Sequence, residues 1–366
     1  TVTNTGERKS KQVLAKLEKL NPNAKVVVVG CAVQNNPAKF LGNPNVIALT
    51  GNYGKHILMD FVNKQNKELP DLMNESYDEM PRPIETRTRQ YIKIQDGCNY
   101  FCSYCLIPYV RGRSRSRDLN DILAEIKDTT ASEIVLTGIN MSDYRIDGKL
   151  ALATLIREVD KLNKRFRISS IECNILDDEM FEVLKNCKNF CPHFHLSLQS
   201  ACNETLKRMN RRYTIEKFIE ITDRIRKEFP TACISTDLIV GFKGETDEEF
   251  ETTFKNLQRI GFDFMHIFPY SIRSGTAASK MGGDVPADVV KVREKRLQKL
   301  NTEFKAKFYA KNKNTKHKLL VEIVDENYSI GYTDNYIYTY LQQPHKVGEI
   351  VDVTTVEPFK KGMLAK

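Results

Sequence analysis

The sequence predicts an α/β protein built on a parallel β/α barrel or partial barrel, preceded by a smaller α/β segment and followed by a small β-barrel. Three observations carry this. From about residue 91 to 304, short β-branched or aromatic runs alternate with amphipathic stretches at helical spacing, the pattern of repeated strand–helix units on a parallel sheet. The first 63 residues show the same alternation on a smaller scale. The last 55 or so residues instead hold short strand-like runs parted by Asp-Glu-Asn, Thr-Asp-Asn and Gln-Pro-His turns, as in a small barrel. A chain of 366 residues is long enough for two or three cores.

Taken in order, residues 10–20 set Val13, Leu14, Leu17 and Leu20 at helical spacing before Asn21-Pro22-Asn23 stops the helix. Residues 25–29 contain VVVV, a run suited to a buried parallel strand. The strand stops at Gly30-Cys31, so Cys31 is expected where a strand gives way to a loop, the usual place for a functional group in an open α/β sheet. Residues 1–63 thus read as an incomplete Rossmann-like α/β domain, and the polar, proline-containing residues 64–86 as a linker. In a core of residues 87–305, strands are expected at 91–95, 134–137, 167–171, 193–198, 233–240 and 264–269, with helices such as 119–129, 178–185 and 215–228 between them. The chemistry of such a barrel lies at the C-terminal ends of its strands. Residues 306–366 form the last domain, with strands at 318–324, 329–333, 336–341 and 349–356; barrels of this size often bind oligonucleotides.

Composition narrows the function. With 41% hydrophobic and 28% charged residues the chain is ordinary globular protein, which argues against wholesale disorder. No apolar run approaches the roughly 20 residues that span a bilayer, and no signal-peptide pattern opens the sequence. The sequence starts at Thr1 in mid-pattern, as a fragment would. Its net charge of +9, from 56 Lys+Arg against 47 Asp+Glu, suits a polyanion such as RNA without requiring one. Nine cysteines without a secretion signal point to a reducing compartment, the cytoplasm, with the grouped cysteines as metal ligands.

The grouped cysteines are Cys98, Cys102 and Cys105, a CxxxCxxC spacing just past the first core strand. Three thiolates on a short loop can each bind one iron of a cubane cluster and leave the fourth iron open. Structural zinc would need a fourth protein ligand, and no further cysteine or histidine follows until Cys173. A second grouping, Cys187, Cys191, His193 and His195, has zinc-like composition, but its histidines lie two apart on an expected strand and its cysteines in the segment leading into it. Cys173, Cys202 and Cys233 are isolated and read as packing residues.

The triplet, with the aromatic Tyr104 before its last cysteine, resembles the signature of the radical S-adenosylmethionine (SAM) superfamily. The stretch KIQDGCNYFCSYCLIPYVRGRSRSR resembles the methylthiotransferases within it. The likeness continues through LTGIN, RISSIE, HLSLQS, LKRMNRRYT, TDLIVGFKGET and HIFPYSIRSGT, so it covers nearly the whole chain. TVTNTGERKSKQ, ISSIE and GYTDNY look most like the branch that acts on N6-threonylcarbamoyladenosine in tRNA.

This resemblance implies a radical SAM barrel, a C-terminal TRAM domain and two 4Fe–4S clusters in the full-length protein. Cys31, in VVVVGCAVQ, matches the third ligand of the auxiliary cluster, whose other two ligands would precede Thr1. One SAM would methylate sulfur on that cluster. A second, reduced at the Cys98/Cys102/Cys105 cluster, would give methionine and a 5′-deoxyadenosyl radical that takes hydrogen from carbon 2 of the adenosine beside the anticodon. Tyr104 would lie by the adenine of SAM. Thr137 and Gly138, Glu172, Gln199 and Ser200, and Arg212, at or near strand ends, would hold the rest of it, and Gly241 would flank the adenine. Arg111, Arg113, Arg115 and Arg117 would point one way if their loop is extended and meet RNA phosphates, and Tyr332 and Tyr336, with Tyr338 and Tyr340, would stack on bases. The implied partners are tRNA, SAM and an electron donor such as flavodoxin or ferredoxin, with the enzyme a monomer and no membrane involved. Competing readings are methylthiolation of isopentenyladenosine in tRNA or of a ribosomal-protein aspartate and, from another class, a non-catalytic metal-bound RNA-binding module.

Overall fold

The computed structural model describes residues 4–55, 58–65, 69, 72, 76–78 and 87–366. Most of the expected linker, 64–86, lies outside the described residues. The chain forms two units. One comprises the described parts of residues 1–83 with 95–117 and 271–281; the other comprises 87–94, 118–270 and 282–366.

In the first unit, helix α1 (Asn4–Leu20) begins six residues earlier than its apolar spacing predicts, with Glu7 in its first turn paired to Lys39 at 2.7 Å and favourably placed for the helix dipole. Strand β1 (Val26–Val29) leads to α2 (Cys31–Asn35) and α3 (Ala38–Leu41), then to β2 (Val46–Thr50) and α4 (Leu58–Asn63). β1 and β2 pair in parallel, Val27 opposite Ala48 and Val29 opposite Thr50. Val33, Phe40, Val46 and Leu49 form the core beneath them. Cys31 opens a short helix rather than a loop, because Gly30 at φ +97° turns the chain directly from strand to helix. Strand β3 (Arg89–Asp96) enters this unit at Gln95, and helix α5 (Ile107–Arg111) lies between it and β4 (Arg115–Ser116). The end of β3 pairs antiparallel with β4.

The second unit alternates strands with helices. Helix α6 (Leu119–Asp128) precedes β5 (Glu133–Gly138), and the hairpin of β6 (Arg145–Ile146) and β7 (Lys149–Leu150) precedes α7 (Leu152–Asp160). Next come β8 (Arg165–Ile168), α8 (Asp178–Asn186), β9 (His193–Gln199), α9 (Asn203–Arg208) and α10 (Ile215–Glu228). The series ends with β10 (Cys233–Val240), α11 (Asp247–Ile260), β11 (Phe264–Pro269) and α12 (Ala287–Lys311). The strands lie in the order β3-β5-β8 and β9-β10-β11, and parallel bridges Phe166↔Phe190 and Ile171↔Leu196 connect the two sheets. The result is the partial barrel expected from the strand–helix alternation. The helices bury apolar stripes against it, as α7 does with Leu152, Leu155, Ile156 and Val159.

Helix α12, which the sequence reading missed, buries Arg293, Leu297, Leu300, Phe304 and Phe308 along one stripe, so a boundary at residue 305 falls inside a helix. It leads into a closed barrel of β12 (Lys316–Val324), β13 (Ser329–Thr333), β14 (Tyr338–Leu341), β15 (Ile350–Phe359) and β16 (Gly362–Ala365), in the order β12-β13-β14-β16-β15. β14 starts two residues later than expected, because Tyr336 sits at φ +69° and leaves the strand conformation.

Candidate functional site

The three grouped cysteines follow the end of β3 on one half-exposed loop. The loop is held by its neighbours in sequence and space. Asp96 accepts from the Gly97 N–H at 2.8 Å and pairs with Arg111 at 3.1 Å. Gln95 Nε2 donates to the carbonyls of Asp96 and Gly97 and to Ser114 Oγ. The Cys98 N–H donates to the Gly112 carbonyl at 3.1 Å, and Ala278 N–H to the Ser103 carbonyl at 2.8 Å. Gly97 is required by this packing: it lies at φ +72°, and a Cβ there would meet the Arg113 carbonyl oxygen at 1.8 Å.

The loop fits an iron–sulfur cluster. None of the three cysteines is in a disulfide, and backbone N–H groups of Tyr100 and Ile107 point at Cys98 Sγ and Cys105 Sγ, each at 3.4 Å; such donors favour the thiolate that binds metal. Among the described residues no three His, Cys, Asp or Glu side chains converge as they would on one shared ion. A cubane asks each thiolate to meet a different iron. Tyr104, within the loop, is half-buried.

Cys31 packs against the helix that follows this loop. It forms a small cluster with Leu106 and Val110, its Sγ donates to Asn52 Oδ1 at 3.4 Å, and Asn52 Nδ2 donates to the Val110 carbonyl at 2.7 Å. Burial works against the Arg111 charge, but Asp96 and Cys31 outweigh it and hold its pKa above the ordinary value. The arrangement ties Cys31 to the same arginine that braces the cysteine loop.

In the second unit, the expected SAM contacts lie at or just beyond strand ends. Thr137 and Gly138 end β5, and Thr137 Oγ1 accepts from Ser169 Oγ at 3.4 Å. Gln199 ends β9 at φ +69°, an uncommon conformation for a residue with a side chain. Ser200 is buried, with its hydroxyl against Thr253 Oγ1 at 3.4 Å. Gly241 follows β10 at φ +70°, where a Cβ would strike Val290 Cγ2 at 2.4 Å. Glu172 is buried and pairs with Arg211, and burial pushes its carboxyl pKa up although Arg211 pulls it down. The exposed Arg212 is not the inward-turned member of this arginine pair; Arg211 is, held also by the Ser197 carbonyl and Tyr213 hydroxyl.

The inner wall of the partial barrel frames an open cavity of about 440 Å³ lined by side chains from β3, β5, β8, β9, β10 and β11. His193 and His195 share a face of β9, and both meet Ser235 Oγ at 2.9 Å. His195 Nε2 also pairs with Asp237 at 3.2 Å. His266 faces His195 with ring centres 5.7 Å apart. Cys191 instead meets Glu133 at 3.7 Å, so the two histidines and this cysteine serve different contacts. Burial, with Arg167 and His195 nearby, holds His193 well below its ordinary pKa and therefore neutral.

Tyr336, from the C-terminal barrel, lines the same cavity. Its ring stacks on His193 at 4.4 Å and on Tyr332 at 4.6 Å, and Arg167 lies over it at 5.1 Å. Behind this stack sits the fully buried Glu133, paired with Arg89, Arg165 and Arg167. Burial alone would raise the Glu133 pKa, but Arg167, Arg165 and Arg89 bring it down to about 2. Arg165 and Arg167 also donate to carbonyls of Lys318, Tyr332, Thr333 and Asp334, which fastens the barrel to the core strands. Sequence reasoning missed this cluster, because each arginine reads as an ordinary strand residue on its own.

The expected one-sided arginine row is not what forms. Arg111 ends a helix and pairs with Asp96, Arg115 donates to the carbonyls of Leu72 and Arg111, and Arg117 is buried. Arg113 is exposed and lies over Phe101 at 4.8 Å. The row fails because α5 and the short β4 break the extended run that would align the side chains.

Comparison with known proteins bears on these features. Residues 92–257 match the model of the Radical SAM superfamily. In fold, the chain resembles the radical SAM methyltransferase TsrM from Kitasatospora setae, solved with cobalamin and a [4Fe-4S] cluster bound (TM-score 0.58, 14% identity, 74% of this chain and 62% of that one). The strand–helix core with its cysteine loop therefore defines a radical SAM enzyme, with a 4Fe–4S cluster and SAM as cofactors. In sequence, the chain is 35% identical to the threonylcarbamoyladenosine tRNA methylthiotransferase MtaB of Bacillus subtilis (strain 168), over 100% of this chain and 86% of that protein. It is 36% identical to the Aquifex aeolicus (strain VF5) protein of the same name, over 96% and 88%. It is 33% identical to a tRNA-2-methylthio-N(6)-dimethylallyladenosine synthase of Clostridium botulinum, over 94% and 81%. The chain belongs to the radical SAM methylthiotransferase family.

Proposed function

We propose that this enzyme converts N6-threonylcarbamoyladenosine in tRNA to its 2-methylthio derivative. The observation that carries the choice of substrate is the set of three polar side chains, His195, Asp237 and His266, that β9, β10 and β11 turn into an otherwise largely apolar cavity. A dimethylallyl group has no hydrogen-bonding atom, and burying it against Asp237 and His266 would desolvate the open Asp237 oxygen and the His266 ring without compensation. The threonylcarbamoyl group carries a carboxylate, a hydroxyl and urea N–H groups that can meet them. The names of the relatives in Bacillus subtilis and Aquifex aeolicus support the same choice.

In this reading Cys98, Cys102 and Cys105 hold the radical SAM cluster, and Cys31 is one ligand of an auxiliary cluster within a Rossmann-like N-terminal domain, so that two SAM molecules serve two purposes. When bound, the first cluster supplies the electron that splits SAM into methionine and a 5′-deoxyadenosyl radical. Gln95 and Asp96 hold the cysteine loop in shape, while Glu172, braced by Arg211, presents a carboxylate near a strand end for the polar groups of SAM. Gly138 and Gly241 let backbone approach the cofactor. Arg113 remains available for RNA phosphates, whereas Tyr332 and Tyr336 act within the protein's own stack. Residues 306–366 act as a TRAM-like RNA-binding barrel, and a donor such as flavodoxin or ferredoxin reduces the monomeric enzyme in the cytoplasm.

Mass spectrometry of tRNA nucleosides from the source cell, with the gene deleted and restored, tests the reading. Loss and return of 2-methylthio-threonylcarbamoyladenosine is expected. Loss of the dimethylallyl counterpart instead would reassign the substrate, and no change in either would redirect attention to a ribosomal-protein aspartate. In vitro, replacing Cys98, Cys102 and Cys105 with alanine is expected to abolish 5′-deoxyadenosine formation; persistent turnover would sink the ligand assignment.

A further inference from the structure

The cavity inside the core strands has an asymmetric chemistry that the cofactor sites do not use. Its floor is aromatic and closed by the Tyr336–His193 stack. Above that floor, β9, β10 and β11 present a polar group each: His195, Asp237 and His266. The parallel register sets Asp237 opposite His266. His195 takes Oδ2 of Asp237 at 3.2 Å, the side chain is 30% exposed, and among the described residues Oδ1 is an open acceptor. His266 is exposed to the cavity and, among the described residues, makes ring contacts but no hydrogen bond. Tyr91, 58% exposed, lines the same cavity from β3.

We propose that this wall is the pocket for the N6 substituent of the substrate nucleoside, in which His266 and Tyr91 donate to its carboxylate and Asp237 accepts from its hydroxyl or urea N–H. The proposal rests on the threonylcarbamoyladenosine reading given above. His195 then acts as a positioning residue, because Ser235 on one nitrogen and Asp237 on the other fix the carboxylate that faces the ligand. Burial and the neighbouring His195 lower the His266 pKa while Asp237 raises it, and the neutral imidazole still has one N–H to give. Tyr336 limits the depth of the pocket, so the C-terminal barrel contributes directly to substrate selection.

Binding of fluorescent anticodon stem–loop RNA to the reconstituted enzyme tests this. The loop is made with threonylcarbamoyladenosine or with unmodified adenosine, and affinity is read by anisotropy. The wild type is expected to favour the modified loop by at least about tenfold, since a site built around hydrogen bonds discriminates against an analogue that lacks them. His266→Leu and Asp237→Asn are each expected to cut that preference to roughly threefold or less, with the affinity for the unmodified loop unchanged. His266 makes no hydrogen bond among the described residues and Asn keeps the shape of Asp, so circular dichroism should match the wild type. Variants that keep the full preference would overturn the pocket while leaving the substrate reading intact. A wild type that shows no preference and forms no methylthio product on the modified loop would overturn both.

Discussion

At the scale of single residues, the cysteine loop depends on its braces as much as on its sulfurs. Gly97→Ala would force a side chain into the Arg113 carbonyl at a backbone angle that disfavours it, at a cost of about 2 kcal/mol or more. The variant is expected to be isolated with reduced iron and acid-labile sulfide, which chemical analysis of anaerobically purified protein measures. Normal cluster content would mean the loop tolerates a shifted backbone. The three cysteines were legible in the sequence because their spacing is local. The inward turn of Arg211 rather than Arg212 was not, because it is decided by Glu172 and Ser197, residues 39 and 14 positions away. The arginine row failed for the related reason that alternation along an extended chain means nothing once a helix interrupts it.

Among the elements, the core strands were legible from β-branched and aromatic runs with helical spacing between them, and two of them, β10 and β11, match the expected bounds. β2 and β16 were missed: VIALT and GMLA are short runs whose strand character comes from pairing with β1, β14 and β15. Helix α12 was missed because a single buried stripe is hidden among many charged residues. The link between core strands and C-terminal barrel lies in Glu133, which three arginines share. Glu133→Gln removes the charge and leaves buried guanidiniums uncompensated, a loss of about 3–5 kcal/mol. Urea unfolding should show a lower midpoint, and proteolysis near residues 312–315, between α12 and β12, should be faster than in the wild type. An unchanged midpoint would show that the barrel is held by other contacts.

For the molecule as a whole, the same carboxylate makes stability depend on acidity. Its folded pKa, about 2, lies below the ordinary value of 4.5, so its stabilisation is complete above about pH 5 and is lost as pH falls toward 2. The amount is on the order of 3 kcal/mol. Urea titrations at pH 7, 5 and 3 should show little change between the first two and a fall at the third, and Glu133→Gln should flatten that fall. The cluster also sets a timetable. Glu133 and Arg167 are made long before Thr333 and Asp334, and Thr88 meets Glu322 across 234 residues. At roughly 5–20 residues per second on a ribosome, the half-built core waits about 10–40 seconds for its carbonyl acceptors, with a charged cluster unfinished and a cavity without a floor. Closing so long a loop is slow, so the nascent chain passes through a stage in which the core strands are made and the pocket has no bottom, and chaperone occupancy should peak there.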